Sequence, residues 1–105
     1  MILVNIIVRD KDQTMDIITL LTQHDLIFNA CISNKKVYEK NKKNGMLEHH
    51  EQTLIIGKTK ALLFSKINDL LKEKYKNNMP MFYAVPIIYM DGEQTQLLRD
   101  HTAKV

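Results

Sequence analysis

Apolar residues recur along this chain with two periods, and the switches between them mark its elements. Ile2-Leu3-Val4-Asn5-Ile6-Ile7-Val8 is a near-continuous, mostly β-branched run, the pattern of a strand at a sheet centre or covered on both sides. From Asp10 the period lengthens. Met15, Ile18 and Leu21, with Ile17 and Leu20 beside them, form one helical stripe through about His24, and Asp10 and Gln13 carry the spacing of a capping box. Leu26 to Tyr38 returns to an extended pattern, with Phe28, Ala30 and Ile32 on one face. A polar turn follows, Lys40-Asn41-Lys42-Lys43-Asn44-Gly45, whose Asn-Gly suits positive backbone angles, and a second long strand runs from Met46 to Lys58.

After Thr59, read as a helix cap, Leu63, Phe64, Ile67, Leu70, Leu71 and Tyr75 fall at helical spacing, while Lys60, Lys66, Asp69 and Lys72 face water. This second helix is expected to end near Asn77-Asn78, ahead of Pro80. Met81 to Met90 reads as the last strand. Pro86 within it removes a backbone donor and marks an edge, a bulge or a change of pairing. Asp91-Gly92 breaks that strand, and a short helix from about Glu93 to Asp100 precedes a polar tail.

The order strand, helix, strand, strand, helix, strand, short helix is the split βαβ arrangement of a ferredoxin-like sandwich. It makes an α+β fold in which an antiparallel sheet carries two main helices on one face. With 105 residues and no internal repeat, residues 1–105 are expected to form a single domain. The second sheet face keeps apolar side chains, and its longest strands overhang so small a core. Exposed edges and surface of this kind invite association, most simply into a closed ring.

No apolar stretch approaches the roughly 20 residues that span a bilayer, and no leader-like segment is evident, so a cytoplasmic protein without a membrane partner is expected. The lone cysteine, Cys31, forms no internal disulfide and agrees with a reducing compartment. A formal charge of +3 is too modest to select a partner class.

One stretch is more specific. Glu48-His49-His50-Glu51-Gln52-Thr53-Leu54-Ile55-Ile56-Gly57-Lys58-Thr59, then Phe64 in the helix, then Met79-Pro80-Met81-Phe82-Tyr83-Ala84-Val85-Pro86-Ile87, resembles the CutA divalent-cation-tolerance family of the PII-like superfamily. Gly45, Leu47, Glu48, Glu51, Leu54, Ile56, Lys58, Thr59, Phe64, Pro80, Ala84 and Pro86 fall where the family pattern has the same or similar residues. Nearer the N-terminus, the family's Ala-Cys-Val-Asn can be set against either Asn29 or Ala30-Cys31. The resemblance implies a homotrimer with sheets packed inward and hairpins clasping neighbours. It also implies a non-catalytic role in divalent metal ion response or small-ligand sensing, with clefts between subunits. Where the family usually reads His-Pro-Tyr-Glu-Val-Pro-Glu, this chain has Tyr75-Lys76-Asn77-Asn78-Met79-Pro80-Met81, so an imidazole and two carboxylates of that pattern are missing.

The candidate chemistry is correspondingly sparse. Adjacent residues on a strand point to opposite faces, so His49 and His50 do not chelate one ion without a bulge, whereas His50 with Glu48, or His49 with Glu51, share a face. Cys31 is a candidate soft ligand, and the metal set expected is Cys31, His49 and His50, with copper as the example of a divalent partner. Lys58, Tyr75, Lys76, Asn78 and Tyr38 are the candidates for a small-ligand cleft, in which a PII-like signalling protein would hold a nucleotide or another anion. A trimer without ligand, acting as a structural adaptor, is the reading from another class. Ser33 and Ser65 have no sequence-local base, and the three glycines form no phosphate loop, so no enzyme is expected. The lysines around the hairpin tip lack the arginines and stacking aromatics of nucleic-acid readers, so nucleic acid is not an expected partner.

Overall fold

A computed structural model describes residues 1–105. Four strands, β1 (Ile2–Val8), β2 (Ala30–Lys40), β3 (Leu47–Thr59) and β4 (Met81–Pro86), form one sheet in the order β2-β3-β1-β4. All three pairings are antiparallel. Helices α1 (Asp12–Gln23) and α2 (Phe64–Tyr75) supply the crossovers, and α3 (Gly92–Asp100) follows β4. This is the expected ferredoxin-like α+β fold, with β1 at the centre because its apolar run can satisfy partners on both edges.

The alternation of the strands decides which face the helices cover. Val4, Ile6 and Val8 of β1 and Ile55 of β3 are fully buried and pack in one cluster with Ile17 and Leu21 of α1 and Ile67 and Leu71 of α2. Each such side chain contributes about 1.5–3 kcal/mol by leaving water. Gly57, opposite Val4, lies against the chain beneath the sheet: a Cβ there would lie 3.0 Å from Ile27 Cγ2 and 3.1 Å from the Asn29 carbonyl oxygen. The opposite face carries Leu3, Ile7, Leu54, Ile56, Met81, Tyr83 and Val85 away from α1 and α2, and Met81 stays 64% exposed.

Several local expectations are corrected. Met15 points to solvent, and Thr14 joins Ile17 and Leu21 on the buried side of α1. Gln13 closes no capping box: its Nε2 donates to the Asn78 carbonyl at 3.1 Å, and Asp10 instead accepts from the Asp12 amide at 3.0 Å. Thr59 does not cap α2, because its hydroxyl is buried and donates to the Leu26 carbonyl at 2.6 Å. Lys60 turns from water to the C-terminal segment, where Nζ donates to the carbonyls of Thr102 and Ala103 at 3.2 and 2.9 Å. The strand expected from Leu26 begins at Ala30, and that expected to Met90 ends at Pro86, opposite Ile2.

β1 pairs with β3 only as far as Val8 opposite Thr53, whereas β2 and β3 continue together to Lys40 opposite Leu47. The hairpin beyond Thr53 is therefore a two-stranded arm of about 20 Å by strand rise. It makes the molecule long for its mass, with principal extents of 51 × 29 × 19 Å. At its tip Gly45 takes φ of 71°, and the Asn41 side chain accepts from the amides of Lys43 and Asn44 at 2.8 and 3.3 Å, which closes the turn.

Candidate functional site

Two places have the geometry of a site. The first is a cavity of about 410 Å³ between the β1–α1 junction and the segment that leads into β4. Arg9, Asp10 and Gln13 line it from one side, Asn77 and Asn78 from the other, and Gln52 reaches in from β3. The α2 helix ends with Lys76 at φ 46°, a left-handed backbone that disfavours a side chain and turns Asn77 and Asn78 toward the cavity. The bond from Gln13 to Asn78 then pins the wall of the cleft to α1. The lining offers amides, one guanidinium and one carboxylate. Ile7, Met79, Pro80 and Met81 complete it; without an imidazole or thiol, one carboxylate and two thioethers beside a guanidinium make a poor donor set for a divalent transition-metal ion. It suits a small molecule with hydrogen-bonding groups.

Tyr75 lies beneath this wall. Its hydroxyl is buried without a partner, and burial, with smaller contributions from the charges of Asp16 and Asp10, pushes its pKa above the ordinary 10.0. Of the residues expected to bind a small ligand, Asn78 alone lines the cavity. Lys76 is two residues from it in sequence and exposed. Lys58 lies opposite Leu3 on the open face of the sheet, and Tyr38 is on the arm with its ring 5.4 Å from that of His49.

The expected metal set does not converge within one chain. Cys31 is exposed opposite Ile56, and the register puts it about 20 Å along the sheet from His50. His49 and His50 occupy opposite faces, as strand alternation requires. His50 instead meets two carboxylates. Glu39 of β2 stands opposite Glu48 of β3, and His50 is one step along the same face. Its Nε2 donates to Glu39 Oε1 and lies 3.9 Å from Glu48 Oε1. The second oxygen of Glu48 accepts from Asn41 Nδ2 at 3.0 Å, and Arg9 Nη2 lies 3.9 Å from Glu39. The hydrogen bond from His50, aided by the charges of His50, Arg9 and Lys42 and opposed by partial burial, holds the Glu39 carboxyl below the usual carboxylate range.

Sequence reasoning paired His50 with Glu48 but missed Glu39. The missing signal was the register across the turn: pairing Lys40 with Leu47 sets Glu39 against Glu48.

No family model matches the chain, and no curated protein matches its sequence. Solved structures match it end to end. CutA1 from Pyrococcus horikoshii superposes with a TM-score of 0.85 at 18% identity, covering 99% of this chain and 100% of that one. The periplasmic divalent cation tolerance protein CutA from Archaeoglobus fulgidus gives 0.81 at 20% identity, over 96% and 98% of the two chains. The divalent cation tolerance protein Cut A1 from Thermus thermophilus gives 0.79 at 22% identity, over 98% and 100%. The chain has the CutA fold over its full length.

Proposed function

We propose that this chain is a non-catalytic, CutA-like protein of divalent metal ion response that works as a homotrimer in the cytoplasm. The observation that carries the reading is the end-to-end match to structures described as divalent cation tolerance proteins. Self-association is supported by the chain's own physics. An open, apolar sheet face and a two-stranded arm are both poorly stable when left in water, and a second and third copy can cover the one and clasp the other. The unpaired Cys31 agrees with a reducing compartment.

A second reading has its own support. The amides and the guanidinium around the 410 Å³ cavity favour a small polar or anionic molecule over a bare ion, as in a PII-like signalling protein. In a trimer this cleft is the place for such a ligand, with Lys76 and Lys58 of neighbouring copies as the cations to complete it.

The test of the first reading is growth of bacteria lacking their own CutA, with and without this chain, across a series of copper and zinc concentrations. Expression is expected to shift the concentration at which growth fails. Identical curves for both metals would remove the metal-response reading and leave the ligand sensor or the adaptor trimer.

A further inference from the structure

We propose that Glu39, Glu48 and His50 form a binding site for a divalent transition-metal ion that staples the two strands of the hairpin arm, beside the cleft whose Arg9 lies 3.9 Å from Glu39. Two features of this cluster point to a cation. The register sets two carboxylates directly opposite each other, and like charges so placed repel across a sheet. His50, on the same face, converts that pair into a set of one nitrogen and two oxygen donors whose atoms all lie within 4.8 Å of one another.

The distances suit an ion of this class. Bonds of about 2.0–2.1 Å in tetrahedral geometry hold donors roughly 3.3–3.4 Å apart. The 3.9 Å between His50 Nε2 and Glu48 Oε1 closes to this by a small side-chain rotation. An imidazole among the donors selects zinc, copper or nickel over calcium and magnesium, which take oxygen alone. Binding replaces the hydrogen bond from His50 to Glu39: the imidazole ligates through Nε2 as the neutral tautomer protonated on Nδ1, any second proton leaves to solvent, and the two carboxylates supply two negative charges for a doubly charged ion. Asn41 holds the second oxygen of Glu48, the role an outer partner plays in a metal centre. Arg9, 3.9 Å from Glu39, is the opposing charge at the rim. The fourth position is left to water or to a donor from another molecule.

The position gives the ion a structural effect. Glu39 is on β2, Glu48 and His50 are on β3, and β1 does not reach this part of the hairpin. An isolated ribbon is marginal, and an ion that binds only the paired strands stabilises them by mass action. Order in the arm thus follows metal concentration. Its meaning as a response element rests on the reading above, whereas the site itself rests on geometry.

The experiment is calorimetric titration of the full chain with Zn²⁺, together with amide hydrogen exchange of residues 35–52 with and without the ion. One ion per chain and slower exchange in the arm are expected. His50→Ala, and the pair Glu39→Gln with Glu48→Gln, are expected to weaken binding at least about tenfold and to abolish the added protection. Arg9→Gln tightens binding, and His24→Ala leaves it unchanged. Glu39, Glu48 and His50 are half-buried on the arm, and circular dichroism confirms that each variant is folded. Unchanged affinity in His50→Ala, or protection that appears away from the arm, overturns the site while leaving any tolerance phenotype standing. Binding that follows these variants with no tolerance phenotype supports the site and contradicts the proposed function instead.

Discussion

Tyr75 shows at the scale of one residue how partners distant in sequence set chemistry. Its hydroxyl is buried and unbonded, so removing it relieves a desolvation cost without breaking a bond. Tyr75→Phe is therefore expected to be neutral or stabilising in urea denaturation near pH 7; a loss above roughly 1 kcal/mol would contradict the placement of the hydroxyl. The raised pKa adds a pH dependence. A group whose folded pKa lies above its unfolded value contributes stability that is complete below the unfolded value and lost as pH rises through the folded one. The wild type should accordingly lose stability above pH 10 more steeply than Tyr75→Phe, as denaturant midpoints at stepped pH would report. Such details were illegible in the sequence. Thr59 had the composition of a cap, but its partner is the Leu26 carbonyl, 33 residues away. Gln13 likewise bonds Asn78, 65 residues away, in place of the cap it was spaced for.

At the scale of elements the hydrophobic period was informative, because strands and helices here bury regular faces. All four strands and three helices lie where the pattern put them, and the boundaries that moved did so for physical reasons. Leu26 and Ile27 are apolar because they pack under the sheet: Asp25 takes φ of 53°, and the Leu26 amide donates to the Leu21 carbonyl at 2.9 Å before β2 begins. β4 stops at Pro86 because β1 ends there at Ile2, and only the Ile87 amide, bonded to the Met1 carbonyl at 3.0 Å, continues the contact. Gly57 is a further consequence of this packing. Gly57→Ala must push the new methyl against the Ile27 side chain and the Asn29 carbonyl, and a cost of about 1–3 kcal/mol is expected in thermal or denaturant melts. A variant as stable as wild type would mean that the loop before β2 is not held against the sheet. The hairpin cluster was half legible for a related reason. His50 and Glu48 are related by alternation on one strand, whereas Glu39 enters through a cross-strand register that depends on how the turn from Asn41 to Gly45 is closed.

At the scale of the whole molecule, a small domain leaves an apolar sheet face and a long arm without partners. Both follow from strand lengths that exceed what β1 and two helices can cover. That excess is what motivates the proposed association, and the cleft was only partly legible. Asn78 is in it, while Arg9, Gln13 and Gln52 come from elements whose approach is set by packing. The measurement that bears most directly on the central claim is a native mass spectrum of the chain, purified without chelator and then titrated with Zn²⁺ or Cu²⁺. A trimer that takes up metal ions, one per chain, is the predicted result. A 12.3 kDa monomer that takes up no ion would contradict the account.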